Sequence, residues 1–139
     1  MYERILVAVD GSDHASTAVT HAVELADRHG ATLHALYVIE TRTAYDNAII
    51  DPEERRAALR EDGEDVLAAV RQRAEKRGIE TRTVIEEGVP PEEILTYIDE
   101  QDIDMVCMGE RGQSDFKTVL LGSATETVIH ESDIPVVVV

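Results

Sequence analysis

Apolar positions fall along the chain in two alternating patterns, short unbroken runs and sets spaced like one face of a helix. The run from Ile5 to Val9 follows Glu3 and Arg4, precedes Asp10, and reads as a buried strand. Ala15, Ala18, Val19, Ala22 and Ala26 then recur at helical spacing, and Gly30 ends that helix as a residue just past a C-cap does. A second strand runs from Leu33 to Ile39. Pro52 opens a second helix, with Leu59, Leu67, Val70 and Ala74 near one face and Gly78 at its close. Gly63 is a weak point inside it, worth about 1 kcal/mol against alanine. The third strand, from Thr81 to Ile85, is the most polar and suits a sheet edge. Pro90 and Pro91 start a short helix carrying Ile94, Leu95 and Ile98. A fourth strand runs from Met105 to Met108, a glycine-containing loop from Gly109 to Leu121, a fourth helix starts near Ser123, and the chain ends in a fifth strand from Val136 to Val139.

The order βαβαβαβαβ predicts one α/β domain over residues 1–139, built on a parallel sheet, with right-handed crossovers. Neither an internal repeat nor a linker interrupts it. The longest irregular stretch, from Glu40 to Asp51, reads as a surface loop, with a lid or partner surface as the alternative.

Composition narrows the function. The 139 residues include 43% apolar side chains, enough for a core and too many for a disordered chain. Cys107 is the only cysteine, which excludes a disulfide scaffold, and no apolar stretch approaches the ~18 residues of a membrane span. Against 29 Asp and Glu stand 13 Lys and Arg, a formal charge of −16. Such a surface repels phosphate backbones and excludes general nucleic-acid binding. Only Lys76 and Lys117 are lysines; acidic and lysine-poor, the surface reads as halophilic, since molar salt screens self-repulsion within ~3 Å. The N-terminus lacks a signal-peptide pattern, so a cytoplasmic location is expected.

In an open parallel sheet, ligands bind beyond the strand ends where strand order reverses. Two strand ends carry suitable residues. The first is Val9-Asp10-Gly11-Ser12; Asp10 offers a carboxylate to a base, a ribose hydroxyl or a cation, and Ser12 or Asp13 suits a helix cap. The second starts at Met108-Gly109-Glu110-Arg111-Gly112 and continues to Gly122-Ser123, a G-x2-G-x9-G-[ST] pattern. Glycines let backbone N–H groups approach a phosphate, and a helix N-terminus favours an anion. Equally, Ser123 and Glu126 have the spacing of a capping box, and Gly109 and Gly112 suit a tight turn. Walker A and G-x-G-x-x-G patterns are absent, and the five histidines show no zinc-like spacing. His14, His21 and His29 read as surface or boundary residues; Cys107, Met105 and Met108 read as core, with Met108 at the strand end within reach of a ligand.

Three stretches together resemble the universal stress protein family: Arg4 to Ser12, Met108 to Gly112 with Leu120 to Ile129, and Ile134 to Val139. The likeness spans the whole chain, and the glycine pattern is that of the family's ATP-binding branch. It implies a Rossmann-like five-stranded parallel sheet in order 3-2-1-4-5 with helices on both faces. It also implies adenine near Asp10 and Val38 and ribose near Gly109. Phosphates would rest on Gly112, Gly122, Ser123 and the amides that follow, Ala124 among them, with Thr125 and Arg111 as second candidates and Val9, Gly11, Ser12 and Met108 completing the crevice. The family usually forms homodimers through its last strand, here from Val136 to Val139. Glu110 and Asp115 are more acidic than is common at their positions in the family; either a divalent cation, Mg2+ or Mn2+, bridges them to phosphates, or they point outward as part of the acidic surface.

These readings lead to an ATP-binding (or ADP- or AMP-binding), homodimeric stress-response or regulatory protein. The alternatives are a slow ATPase or phosphotransferase, for which Asp10 is the sole candidate base, and an interaction dimer that has lost nucleotide binding. A receiver domain is disfavoured because the third strand ends without its phosphoacceptor aspartate. A nucleotide α-hydrolase is disfavoured because its serine-glycine loop is missing after Asp10.

Overall fold

The computed structural model describes residues 1–40, 51–111 and 122–139; residues 41–50 of the long connection, and Gly112 with Asp115, lie outside them. Among the described residues nine elements follow one another: β1 (Arg4–Val9), α1 (Asp13–His29), β2 (Thr32–Glu40), α2 (Pro52–Glu75), β3 (Thr81–Gly88), α3 (Pro90–Glu100), β4 (Met105–Met108), α4 (Ser123–Glu131) and β5 (Val136–Val138). The strands form one parallel sheet in the order β3-β2-β1-β4-β5.

Local chemistry explains the boundaries. Ser12 is the N-cap of α1, and its hydroxyl accepts from Ala15 N at 3.2 Å. Gly30, at φ 64°, takes the left-handed turn that ends α1, and Ala31 N then reaches back to Ala26 O at 2.9 Å. Asp51 caps α2 through Glu53 N at 3.1 Å, and Pro52 occupies the first turn, where no N–H is missed.

β1 is central, with Ile5 in register with Leu33 on one side and Met105 on the other. Because helices cover both faces of the sheet, β1 is apolar on both. Ile5, Val7 and Val9 enter one core with α1 and α2; Leu6 enters the second with residues of α3 and α4. Ile5, Leu6, Leu33 and Leu36 are fully buried. Each contributes about 1.5–3 kcal/mol by leaving water.

β3 forms one edge, and its exposed Arg82, Glu86 and Glu87 account for the polar reading of that segment. The fifth strand is shorter than its sequence suggests. It spans Val136–Val138, yet Val139 continues the pairing: its N–H donates to Met108 O at 3.0 Å and its carbonyl accepts from Glu110 N at 2.7 Å. Gly63 is buried under Tyr37, and a Cβ on it would lie 2.7 Å from the Tyr37 ring. The weak point of α2 is thus where that helix meets β2.

Candidate functional site

The C-terminal ends of β1, β2 and β4 open into a cavity of about 400 Å3, within the ordinary range for small-molecule sites. Its position follows from topology. The chain leaves β1 for β2 on one side and reaches β4 on the other, so the connections part above β1 and β4 and leave a crevice between them.

Ten of the residues singled out from sequence line this cavity: Val9, Asp10, Val38, Met108, Gly109, Arg111, Gly122, Ser123, Ala124 and Thr125. Gly11 and Ser12 do not. Gly11, at φ 84°, makes the turn out of β1, and Ser12 is committed to capping α1. Their contribution is to position Asp10, whose Oδ1 accepts from Ser12 N at 2.9 Å. Gly112 lies outside the described residues.

The capping box expected at Ser123 does not form. Gly122 is the N-cap of α4, with no side-chain capping bond, and exposed Ser123 is the first helical residue. Gly122 N donates to Glu110 O at 2.8 Å, so that amide is engaged within the protein. Glu126 N, bonded to Gly122 O at 2.9 Å, is the first amide of the regular helix ladder. The N–H groups of Ser123, Ala124 and Thr125 therefore have no acceptor within the helix and stand at its positive end. The helix end therefore offers a cradle of these three amides, without the Gly122 amide that the sequence expectation included.

Thr125 fixes the cradle. Its side chain is buried, and its hydroxyl donates to Gly109 O at 2.9 Å, tying the first turn of α4 to the end of β4. Gly109 is needed for packing as well as access. A Cβ there would lie 2.8 Å from the carbonyl carbon and the Cβ of His14, in the first turn of α1. A glycine at this point lets β4 end directly against α1, whatever else occupies the crevice.

The remaining walls come from residues the sequence did not mark. Tyr37, Ile39 and Glu40 extend the β2 side, α2 contributes Arg55 and Leu59, and α3 contributes Pro90 and Ile94. Burial first, then the charges of Asp62 and Asp10, raises the Tyr37 hydroxyl above its ordinary pKa, so it remains a neutral hydrogen-bonding group. Among the described residues no three His, Cys, Asp or Glu side chains gather to hold a metal ion. The arrangement can accept an anion at the α4 end, a flat apolar group against Val38 and Met108, and a hydrogen-bond donor at Asp10.

Comparison with known proteins agrees with this architecture. The chain is 32% identical over 140 residues to universal stress protein MJ0531 of Methanocaldococcus jannaschii, an alignment covering 100% of this chain and 82% of that protein. The solved structure of MJ0577, from the same organism, matches with a TM-score of 0.89 at 30% identity over 100% of this chain and 96% of that one. UspA of Lactobacillus plantarum matches with a TM-score of 0.83 at 34% identity, covering 99% and 97%. Two more distant solved members, 24% and 23% identical, share the fold and are complexes with cAMP and with dAMP, the latter from Archaeoglobus fulgidus. With the model of the universal stress protein family matching residues 1–139, the chain belongs to that family.

Proposed function

We propose that the crevice above β1 and β4 binds an adenine nucleotide, ATP foremost, and that the protein acts in the cytoplasm as a homodimeric, nucleotide-dependent stress-response protein. The observation carrying this reading is the amide cradle of Ser123, Ala124 and Thr125, which opens onto a cavity of about 400 Å3 with an apolar floor. Phosphates take the cradle, with Arg111 lining the same cavity. The ribose lies over Gly109, where no Cβ intrudes. The base rests against Val38 and Met108, with Asp10 accepting from its amino group or from a ribose hydroxyl. Two family members in complex with adenine mononucleotides, cAMP and dAMP, support the choice of base. A divalent cation, Mg2+ or Mn2+, would arrive with the phosphates, which supply oxygens where the described residues gather no metal-binding cluster. The apolar edge strand β5 favours pairing with a second copy, since a bare apolar edge invites aggregation. The charge of −16 suits work in molar salt.

The test is calorimetric titration of Mg-ATP into the protein in molar KCl, beside Gly122→Glu. At φ −60° and ψ 147° the Gly122 backbone accepts any residue, so the variant adds a carboxylate at the cradle without backbone strain. Saturable binding by the wild type that is lost in the variant is the expected result. A wild type that binds no nucleotide overturns the reading. Sedimentation at the same salt concentration checks the dimer.

A further inference from the structure

We propose that Arg55 is the base-recognising residue of this site, donating a hydrogen bond to a purine ring nitrogen. The inference rests on the nucleotide reading above and assigns a specificity-determining residue to it.

Arg55 lines the cavity, and its Nε is buried with no hydrogen-bond partner among the described residues. An unmet buried guanidinium N–H is costly, and a guanidinium is a donor only, so the missing group is an acceptor. In a chain with 29 acidic residues, a buried arginine N–H that meets no acceptor is out of keeping with its surroundings. The cavity is where a ligand would supply one.

The placement of α2 decides which part of the ligand. Arg56, the next residue, is held to the far side: its Nε lies 2.8 Å from Glu87 Oε1, near the end of β3. Successive helix residues point about 100° apart, so with Arg56 directed to β3, Arg55 turns inward over β2. Leu59, one turn on, lines the same wall, and Gly63, a further turn on, packs on Tyr37 of β2. The start of α2 therefore stands over the end of β2. The amide cradle of α4 stands beside β4, and β1 separates β2 from β4. Two strand spacings are about 10 Å. A phosphate in the cradle is at that distance from the β2 side, and the part of a nucleotide that reaches Arg55 is the base. The planar guanidinium suits this partner, since it both donates in plane and stacks on aromatic faces. A purine offers N7, which a pyrimidine lacks. Asp10, an acceptor lining the same cavity, complements it by receiving an amino group.

The experiment compares wild type, Arg55→Gln and Arg55→Lys by titration with ATP, CTP and inorganic tripolyphosphate in molar KCl, with thermal melting of each unliganded variant as the folding control. The expected result is a loss of about tenfold in ATP affinity for Arg55→Gln, a typical effect of one charge-assisted hydrogen bond. CTP and tripolyphosphate affinities stay unchanged, and the unliganded variant melts no lower than the wild type. Arg55→Lys does not restore ATP binding, because lysine lacks the Nε–H and the plane. Equal losses for ATP, CTP and tripolyphosphate would make Arg55 a phosphate ligand and overturn the proposal, and so would no change in any of them. Wild-type protein that binds none of the three ligands removes the nucleotide reading itself, and the assignment of Arg55 with it.

Discussion

Gly109 ends β4 so close to α1 that a Cβ on it would stand 2.8 Å from the carbonyl carbon of His14. The obstacle is backbone in the first turn of a capped helix, and it cannot yield as a side chain would. Gly109→Ala is therefore expected to destabilise the fold by about 1–3 kcal/mol, the usual range for overpacking. Urea denaturation checks it: the midpoint falls with the slope unchanged. An alanine variant as stable as the wild type would mean that α1 shifts freely at its N-terminus.

Gly63 and Tyr37 make a second such contact, and here the sign of a familiar substitution reverses. In an exposed helix interior, glycine to alanine gains about 1 kcal/mol. At Gly63 the new Cβ would lie 2.7 Å from the Tyr37 ring, which is itself buried between β2 and α2. Gly63→Ala is expected to lower stability, and Tyr37→Leu in the same chain to recover part of the loss. The recovery is the decisive reading, because coupled neighbours depart from additivity. A simple sum of the two single effects would show that the ring and the glycine do not meet.

Cys107 is fully buried in β4, and burial pushes its thiol up to about 12. At pH 8 the reactive thiolate is then scarce and inaccessible. Native protein treated with iodoacetamide is expected to remain unlabelled, while protein in 6 M guanidinium, about the level needed for full unfolding, labels completely. Rapid native labelling would place the thiol outside the core.

The strand-helix alternation, the polar edge at β3 and the glycine positions were legible because each is a local pattern with one physical cause. The strand order came from the family resemblance rather than from any local pattern, and the sheet has that order. Other features depend on contacts between distant segments. Ser123 has the spacing of a cap, but the pull of Glu110 O on Gly122 N and the Thr125 bond to Gly109 begin the helix one residue earlier. Arg55 looks like any charged residue at the start of a helix until α2 is seen to run back over β2. Asp10 and Ser12 were both marked, yet only Asp10 lines the cavity, because the capping bond takes the serine away. His34 sits in an apolar run with nothing nearby in sequence to pair it; its partner Tyr97 lies 63 residues away.

That pair gives the last prediction. His34 is buried at the far end of the sheet from the crevice, with Nδ1 at 2.7 Å from the Tyr97 hydroxyl. Burial, more than the facing Arg82 and Arg4, holds its pKa below 6.5, and Glu80 opposes them weakly. The folded state therefore keeps the ring neutral at a pH where the unfolded chain has begun to protonate it. Below about 6.5 the unfolded state binds more protons, so stability declines as pH falls from there through the folded value, and is fully present above it. Few other side chains change charge in that interval, and molar KCl suppresses the surface contributions. Urea midpoints measured in molar KCl are expected to fall between pH 7.5 and pH 5.5 in the wild type. In His34→Gln, whose side chain can still meet the Tyr97 hydroxyl but does not titrate, the fall is expected to be smaller. Equal falls in the two proteins would locate the acid sensitivity elsewhere and leave His34 a packing residue alone.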